Sequence, residues 1–294
     1  MGTDICVYLL RTIRMNFSTN MIQRGFLFQG VFIDSEAINM VKRRNWLEAE
    51  HIRFFCLYMQ AIIAEAQPPW KVYFFGPLQP RFLQEGWDHI YNMENLGSAK
   101  DLLCYDFLVL PVATDENDHW FMIIIAHFKN LCCGGHGEIY ILDSKCNDWK
   151  KLHKPMIKLI HEAAEAANAK HFKSSNIQFY QVFPGLLPQQ AKDLCGFYLM
   201  AYIEIFVRDP DILLNKIRKW KNGQESKHGE LDRTLPERFL RLLEDFRDGF
   251  WEGGCLMNRN EQPIIKASLH GVLTDPWWAG FLFLFFFFCV ILNR

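Results

Sequence analysis

His119-Trp120-Phe121-Met122-Ile123-Ile124-Ile125-Ala126-His127-Phe128 sets a histidine directly ahead of an apolar run rich in β-branched and aromatic residues. The run over 120–128 reads as a strand buried on both faces. Before it, residues 106–112 form a second apolar run that stops at a polar turn, 114–118. After it, Cys132-Cys133-Gly134-Gly135-His136-Gly137 reads as a hairpin-like loop leading into a third strand at 138–142. That strand ends on Asp143-Ser144. Strands this close in sequence, joined by short turns, predict a central and mostly antiparallel sheet.

Further out, the pattern alternates. Residues 150–170 are alanine-rich and predict a helix with Ile157, Ile160, Ala164 and Ala167 on one side. A fourth strand follows at 177–183. Pro184, Gly185 and Pro188 then break the chain ahead of 195–208, which reads as a buried helix. Upstream, residues 45–66 carry apolar side chains at helical spacing, among them Ile52, Phe55, Cys56, Met59, Ile62 and Ile63, until Pro68-Pro69 ends the helix. Val72-Tyr73-Phe74-Phe75 is a short apolar run. Residues 1–40 show no clean periodicity and read as a loosely structured lead-in, while 209–270 alternates helical pieces (212–220, 235–250) with polar linkers. The fold class is α+β, with the helix that begins at Cys195 packed on the sheet.

The order of polar residues across these elements points to chemistry. His119 lies on the turn before one strand, and Asp143 ends the strand expected beside it. Gln189-Gln190 runs into Cys195-Gly196 at the start of a helix. This is the set a cysteine protease requires. Cys195 supplies the nucleophile, His119 its base, and Asp143 fixes the tautomer and orientation of that base. Gln189 or Gln190 is placed to donate to the developing oxyanion. A free thiol has a pKa near ~8.5, which falls to roughly 3.5–7.5 at a helix N-terminus beside an imidazole, so Cys195 is expected to be activated. Taken singly, each residue has a plainer reading. Cys195 is a small buried hydrophobe, His119 a solvated loop residue, and Asp143 a turn or helix cap.

Bulk composition narrows the class. The chain has 294 residues, half of them hydrophobic, and a formal net charge of −1, so it buries a sizeable core and nothing global points to nucleic acid. Lys42-Arg43-Arg44 is a short basic cluster, read as a solvated surface with a nuclear signal as the alternative. The nine cysteines include no CxxC pair, and Arg11 and Arg14 interrupt the only candidate for a secretory apolar stretch. An intracellular setting, nucleus or cytoplasm, is expected. Cys132, Cys133 and His136 leave no fourth ligand in sight, so no metal is expected, and no phosphate loop or dinucleotide fingerprint occurs. Residues 277–292 carry no charge. As a helix they would span about 24 Å against a hydrocarbon core of about 30 Å, so membrane association is possible only through this tail.

These motifs resemble the catalytic domain of the ubiquitin-like protease family, the sentrin/SUMO-specific cysteine peptidases. The matching residues are Trp46-Leu47, Phe107-Leu108-Val109-Leu110-Pro111-Val112, His119-Trp120, Ile139-Tyr140-Ile141-Leu142-Asp143-Ser144, Pro188-Gln189-Gln190 and Cys195-Gly196-Phe197-Tyr198. The resemblance implies a papain-like site in permuted order with the nucleophile last. It also implies cleavage after the Gly-Gly terminus of a ubiquitin-like modifier such as SUMO, with no cofactor. Trp46 and Trp120 would then roof a narrow channel that admits only glycines. The implied division is a lead-in at 1–44, a catalytic domain at 45–208, a helical extension at 209–276 and a hydrophobic tail at 277–294.

Three positions depart from the family pattern. Leu194, not an aspartate, precedes the cysteine, with Asp193 one place earlier; Leu-Cys-Gly is similar to the plant mobile-element branch. Gln189 stands six residues before Cys195, the usual separation, while Gln190 fits as the second of a pair after proline. Where the family has Trp-Leu-Asn-Asp at the start of the first helix, this chain has Trp46-Leu47-Glu48-Ala49, which removes an acidic contact to the modifier tail. The rival readings are a modifier-binding pseudoprotease and an acyltransferase with a related site.

Overall fold

The computed structural model of the chain describes residues 25–93, 99–114, 119–145, 147–182, 194–221, 234–247, 251–252 and 255–256. Two short strands come first, β1 (Gly25–Phe28) and β2 (Val31–Asp34), followed by α1 (Ser35–Lys42) and α2 (Ala49–Ala66). Then come β3 (Val72–Phe74), α3 (Pro80–Glu85), α4 (Trp87–Met93), β4 (Phe107–Ala113), β5 (Trp120–Ala126) and a short helix α5 (Phe128–Cys132). β6 (Gly137–Leu142), α6 (His153–Ala166), β7 (Ile177–Val182), α7 (Cys195–Arg208), α8 (Pro210–Lys221) and α9 (Leu235–Arg247) complete the larger elements.

β3 to β7 form one five-stranded sheet in sequence order. Its centre is antiparallel, β4 on β5 and β5 on β6, as the short turns require. Its edges are parallel, β3 on β4 and β6 on β7, because each of these pairs is joined through helices that cross over and return. The sheet is therefore mixed, and antiparallel only at its core. Every residue of β4 and β5 is buried, as expected for strands covered on both faces. Pro111 is tolerated within β4 because its backbone polar groups face the β3 side, where β3 has already stopped at Phe74. There its carbonyl alone is used, accepting from the Leu78 N–H at 2.9 Å.

Side-chain alternation splits the core between two faces. Leu108, Leu110, Phe121, Ile123, Ile139 and Ile141 pack with Met156, Leu159, Ile160 and Ala163 of α6 on one face. On the other, α7 lies against β5 and α2. α7 is buried almost all round, from Cys195 to Phe206, which explains its continuous apolar sequence.

Two stretches differ from the sequence reading. Residues 25–42 are a hairpin and a helix rather than a loose lead-in. The turn uses Gln29 and Gly30 with positive φ, and Asp34 caps α1 by accepting from the Ala37 N–H at 2.7 Å. The hairpin is held by aromatic packing: Phe246 of α9 meets Phe26, Phe28 and Phe54 at centroid distances of 5.5, 5.0 and 5.1 Å. The second stretch is 127–132, expected as strand end and loop. His127 takes a left-handed φ of 58°, which ends β5 at Ala126 and starts α5.

One buried charge ties α7 to α9. Glu204 is 2% exposed and accepts from Arg238 at 2.9 and 3.2 Å and from Arg208 at 3.5 Å. Removing the carboxylate takes a shared acceptor from two guanidinium groups that are largely buried. Glu204→Ala is expected to cost about 3–5 kcal/mol in urea denaturation.

The basic cluster at 42–44 sits on the surface, where Arg43 pairs with Glu36 at 3.7 Å and Arg44 with Glu237. Among the described residues no helix is long and apolar enough to cross a membrane. The 277–292 segment lies outside them.

Candidate active site

The register of β5 against β6 brings the site together. Met122 pairs with Leu142, so the residue ahead of β5 and the residue after β6 lie at the same end of the sheet. Those residues are His119 and Asp143. His119 Nε2 lies 2.5 Å from Asp143 Oδ1, and both side chains are buried. His119 Nδ1 has no hydrogen-bond partner among the described residues. A carboxylate acceptor at Nε2 places the ring proton there and leaves the Nδ1 lone pair available as a base.

Asp143 is held by a dense set of donors. Oδ1 also accepts from the Lys145 N–H at 2.8 Å. Oδ2 accepts from the Asn147 N–H and side-chain amide, each at 3.0 Å, and from the Trp149 indole at 2.8 Å. Burial pushes the carboxyl pKa up, but the His119 hydrogen bond and charge, with the Lys145 and Trp149 donors, hold it below the usual carboxylate value. Asp143 is therefore a buried anion built to stay ionised.

Cys195 opens α7 and is 1% exposed. Burial raises its thiol pKa to about 11, only partly offset by the backbone N–H groups of Trp120, Gly196 and Cys195 and by the charge of Lys145. This corrects the expectation of a depressed pKa. The helix terminus acts as anticipated and the charge is that of Lys145 rather than of the imidazole, but desolvation of the thiolate outweighs both. The resting thiol is thus protonated at neutral pH, and attack requires a base to remove the proton. Iodoacetamide labelling of Cys195 is expected to rise about tenfold per pH unit between about pH 7 and 9. A plateau reached by pH 7, followed by mass spectrometry of the labelled peptide, would contradict this.

The Trp120 N–H that favours the thiolate belongs to the residue after His119, so the sulfur sits against the backbone that carries the imidazole. Trp120 is itself buried, and its indole donates to the Leu47 carbonyl at 2.7 Å. Leu47 also explains Gly196. A Cβ at position 196 would lie 2.9 Å from the Leu47 Cβ, closer than side chains pack, so only glycine lets the nucleophile helix approach this segment. Trp46, half-buried, immediately precedes Leu47. The structure thus brings His119, Trp120, Asp143 and Cys195 to one place, with Trp46 on the adjoining segment. Gln189 and Gln190 lie outside the described residues.

Sequence reasoning missed Leu47 as a partner of Trp120 and Gly196, and Asn147 and Trp149 as partners of Asp143. Their polar groups act through loop geometry, which leaves no periodic signal. His153, read as solvated, is instead stacked on Phe179 at 4.1 Å. No group of three or more His, Cys, Asp or Glu among the described residues is placed to hold a metal.

A buried imidazole–carboxylate pair, with a cysteine at a helix start set against the Trp120 backbone, is the set of groups a cysteine protease requires. Residues 45–219 match the Ulp1 protease family, C-terminal catalytic domain. The chain belongs to this family and is a cysteine protease. No curated protein sequence matches it significantly. Among solved structures it is similar to a de-sumoylating protease at 14% identity, with a TM-score of 0.60, over 77% of this chain and 92% of that one. It is likewise similar to the Ulp1-like SUMO protease catalytic domain of Chaetomium thermophilum, at 15% identity and a TM-score of 0.52, over 86% of this chain and 92% of that one. At these identities the likeness is one of fold.

Proposed function

We propose that this protein hydrolyses the peptide or isopeptide bond after the C-terminal Gly-Gly of a ubiquitin-like modifier of the SUMO type. The observation that carries the mechanism is the 2.5 Å contact of His119 Nε2 with Asp143, which leaves Nδ1 as the base. Family membership and the SUMO-directed activity of the two similar structures support the substrate class.

Nδ1 of His119 takes the thiol proton as the Cys195 sulfur attacks the glycine carbonyl. The carbonyl π electrons move to oxygen, and the oxyanion is held by backbone N–H groups at the start of α7 and by Gln189 or Gln190. Collapse of the intermediate breaks the C–N bond. The imidazolium returns its proton to the departing amine. Water then attacks the thioester, again with His119 as base, and the thiol leaves reprotonated. Asp143 stays ionised throughout and stabilises the imidazolium that forms twice in the cycle.

The test is incubation of the full chain with a SUMO precursor extended beyond Gly-Gly and with a SUMO–lysine conjugate. Cleavage at the glycine, seen as a defined mass, supports the reading. Binding without cleavage supports a pseudoprotease instead.

A further inference from the structure

We propose that Trp149 is a positioning residue of this active site, its indole N–H holding the Asp143 carboxylate in the one rotamer that orients His119. The inference rests on the proposed function for its catalytic meaning.

Asp143 divides its two oxygens unequally. Oδ1 faces His119 Nε2 and the Lys145 N–H, whereas Oδ2 is filled by three donors from one short segment: the Asn147 backbone, the Asn147 amide and the Trp149 indole. Rotation of the carboxylate breaks bonds on both sides at once, so the donors on Oδ2 fix where Oδ1 points. Trp149 is anchored from outside the segment. Its ring is buried and stacks on Phe121 at 4.2 Å with planes 20° apart. Phe121 lies in β5, two residues after His119. A single ring thus ties the strand that carries the imidazole to the oxygen opposite it. Among the described residues, the charged and titratable groups facing this cluster are His119 ahead of β5, Lys145 on the Asp143 segment, Lys151, whose ammonium lies 5.2 Å from the Trp149 ring centroid, and Cys195 at the head of α7.

A buried indole N–H needs an acceptor wherever it sits, so plain structural satisfaction must be separated from positioning. The acid limb separates them. Asp143 has a depressed pKa in the folded protein, so its contribution to stability is present above the unfolded value, about 3.9, and is lost as pH falls through the folded value. Removing a donor lets burial raise the folded pKa toward the unfolded value, so the variant is less stable at neutral pH, loses less on acidification, and converges on the wild type below about pH 4.

Trp149→Phe keeps the ring on Phe121 and deletes only the donor. Expected are a urea midpoint below the wild type's at pH 7, with a gap that narrows as pH falls from about 5 to 3, and about tenfold lower kcat/KM at neutral pH, carried by kcat rather than KM. Asn147 is exposed, and Asn147→Ala is expected to show the same narrowing gap to a smaller extent. A Trp149→Phe gap in urea midpoint that stays constant from pH 7 to pH 3, or an unchanged kcat, with the wild type active, would overturn the role of Trp149 alone. A folded wild-type chain that cleaves no modifier would overturn both this role and the proposed function.

Discussion

Replacing Cys195 with alanine lowers kcat/KM for modifier cleavage by at least about 10³-fold while leaving modifier affinity essentially unchanged. The size follows from what is lost. The thiol is the sole atom that forms a bond to the acyl group, and no other cysteine is brought to the His119–Asp143 pair in the described structure. The packing cost is small. Cys195 is 1% exposed at the head of α7, and alanine keeps the Cβ while deleting one sulfur. A thermal midpoint close to that of the wild type, measured beside the kinetics, separates lost chemistry from lost fold. Retained turnover in Cys195→Ala would remove the nucleophile from the account.

Asp143→Asn lowers kcat by about 10⁴-fold, and the hydrogen-bond map says why. An amide has one accepting oxygen and one donating nitrogen. Oδ2 of Asp143 takes three donors, two from Asn147 and one from Trp149, so the amide oxygen is held on that side. The NH₂ group is then turned toward His119 Nε2. The imidazole must accept there, its proton moves to Nδ1, and the base for Cys195 is gone. The same substitution leaves the Lys145 N–H opposed by a donor, so some loss of stability accompanies it. Activity restored to within tenfold of the wild type would show that Asp143 does not set the tautomer.

The parts of the fold that were legible in the sequence are those where burial alone decides the pattern. β4 and β5 are apolar throughout because both faces are covered, and α7 is apolar all round because it lies between the sheet and other helices. The mixed character of the sheet was not legible. The direction of β3 and β7 depends on the path of the crossovers, not on the residues of the strands themselves. The β1–β2 hairpin escaped because four-residue strands give too few alternations, and its Gln29-Gly30 turn is not among the strong hairpin dipeptides. At the site, the residue types and their order were visible in the sequence, as were the helix start at Cys195 and the glycine after it. The sign of the Cys195 pKa was not, since a dipole and a nearby charge can be inferred from sequence while desolvation depends on the packing of distant segments. Trp149 was hidden for a related reason. Only the fold of the 143–149 loop brings its indole back to Asp143.

The stability and reactivity of the site are linked through burial. The dry surroundings that raise the Cys195 thiol also make the Asp143 anion costly unless its donors are complete. Burial thus raises the thiol of Cys195 while the donors around Asp143 keep its carboxyl below the usual carboxylate value. Residues 45–219 contain the described parts of this machinery.

The most direct measurement is covalent capture. The full chain is treated with a panel of ubiquitin-like proteins ending in Gly-Gly and carrying a C-terminal electrophile, and the adduct is mapped by mass spectrometry. The account predicts a single adduct on Cys195, strongest with a SUMO-type modifier and abolished in Cys195→Ala. Folded protein that captures none of the panel, or an adduct on any other cysteine, would contradict it.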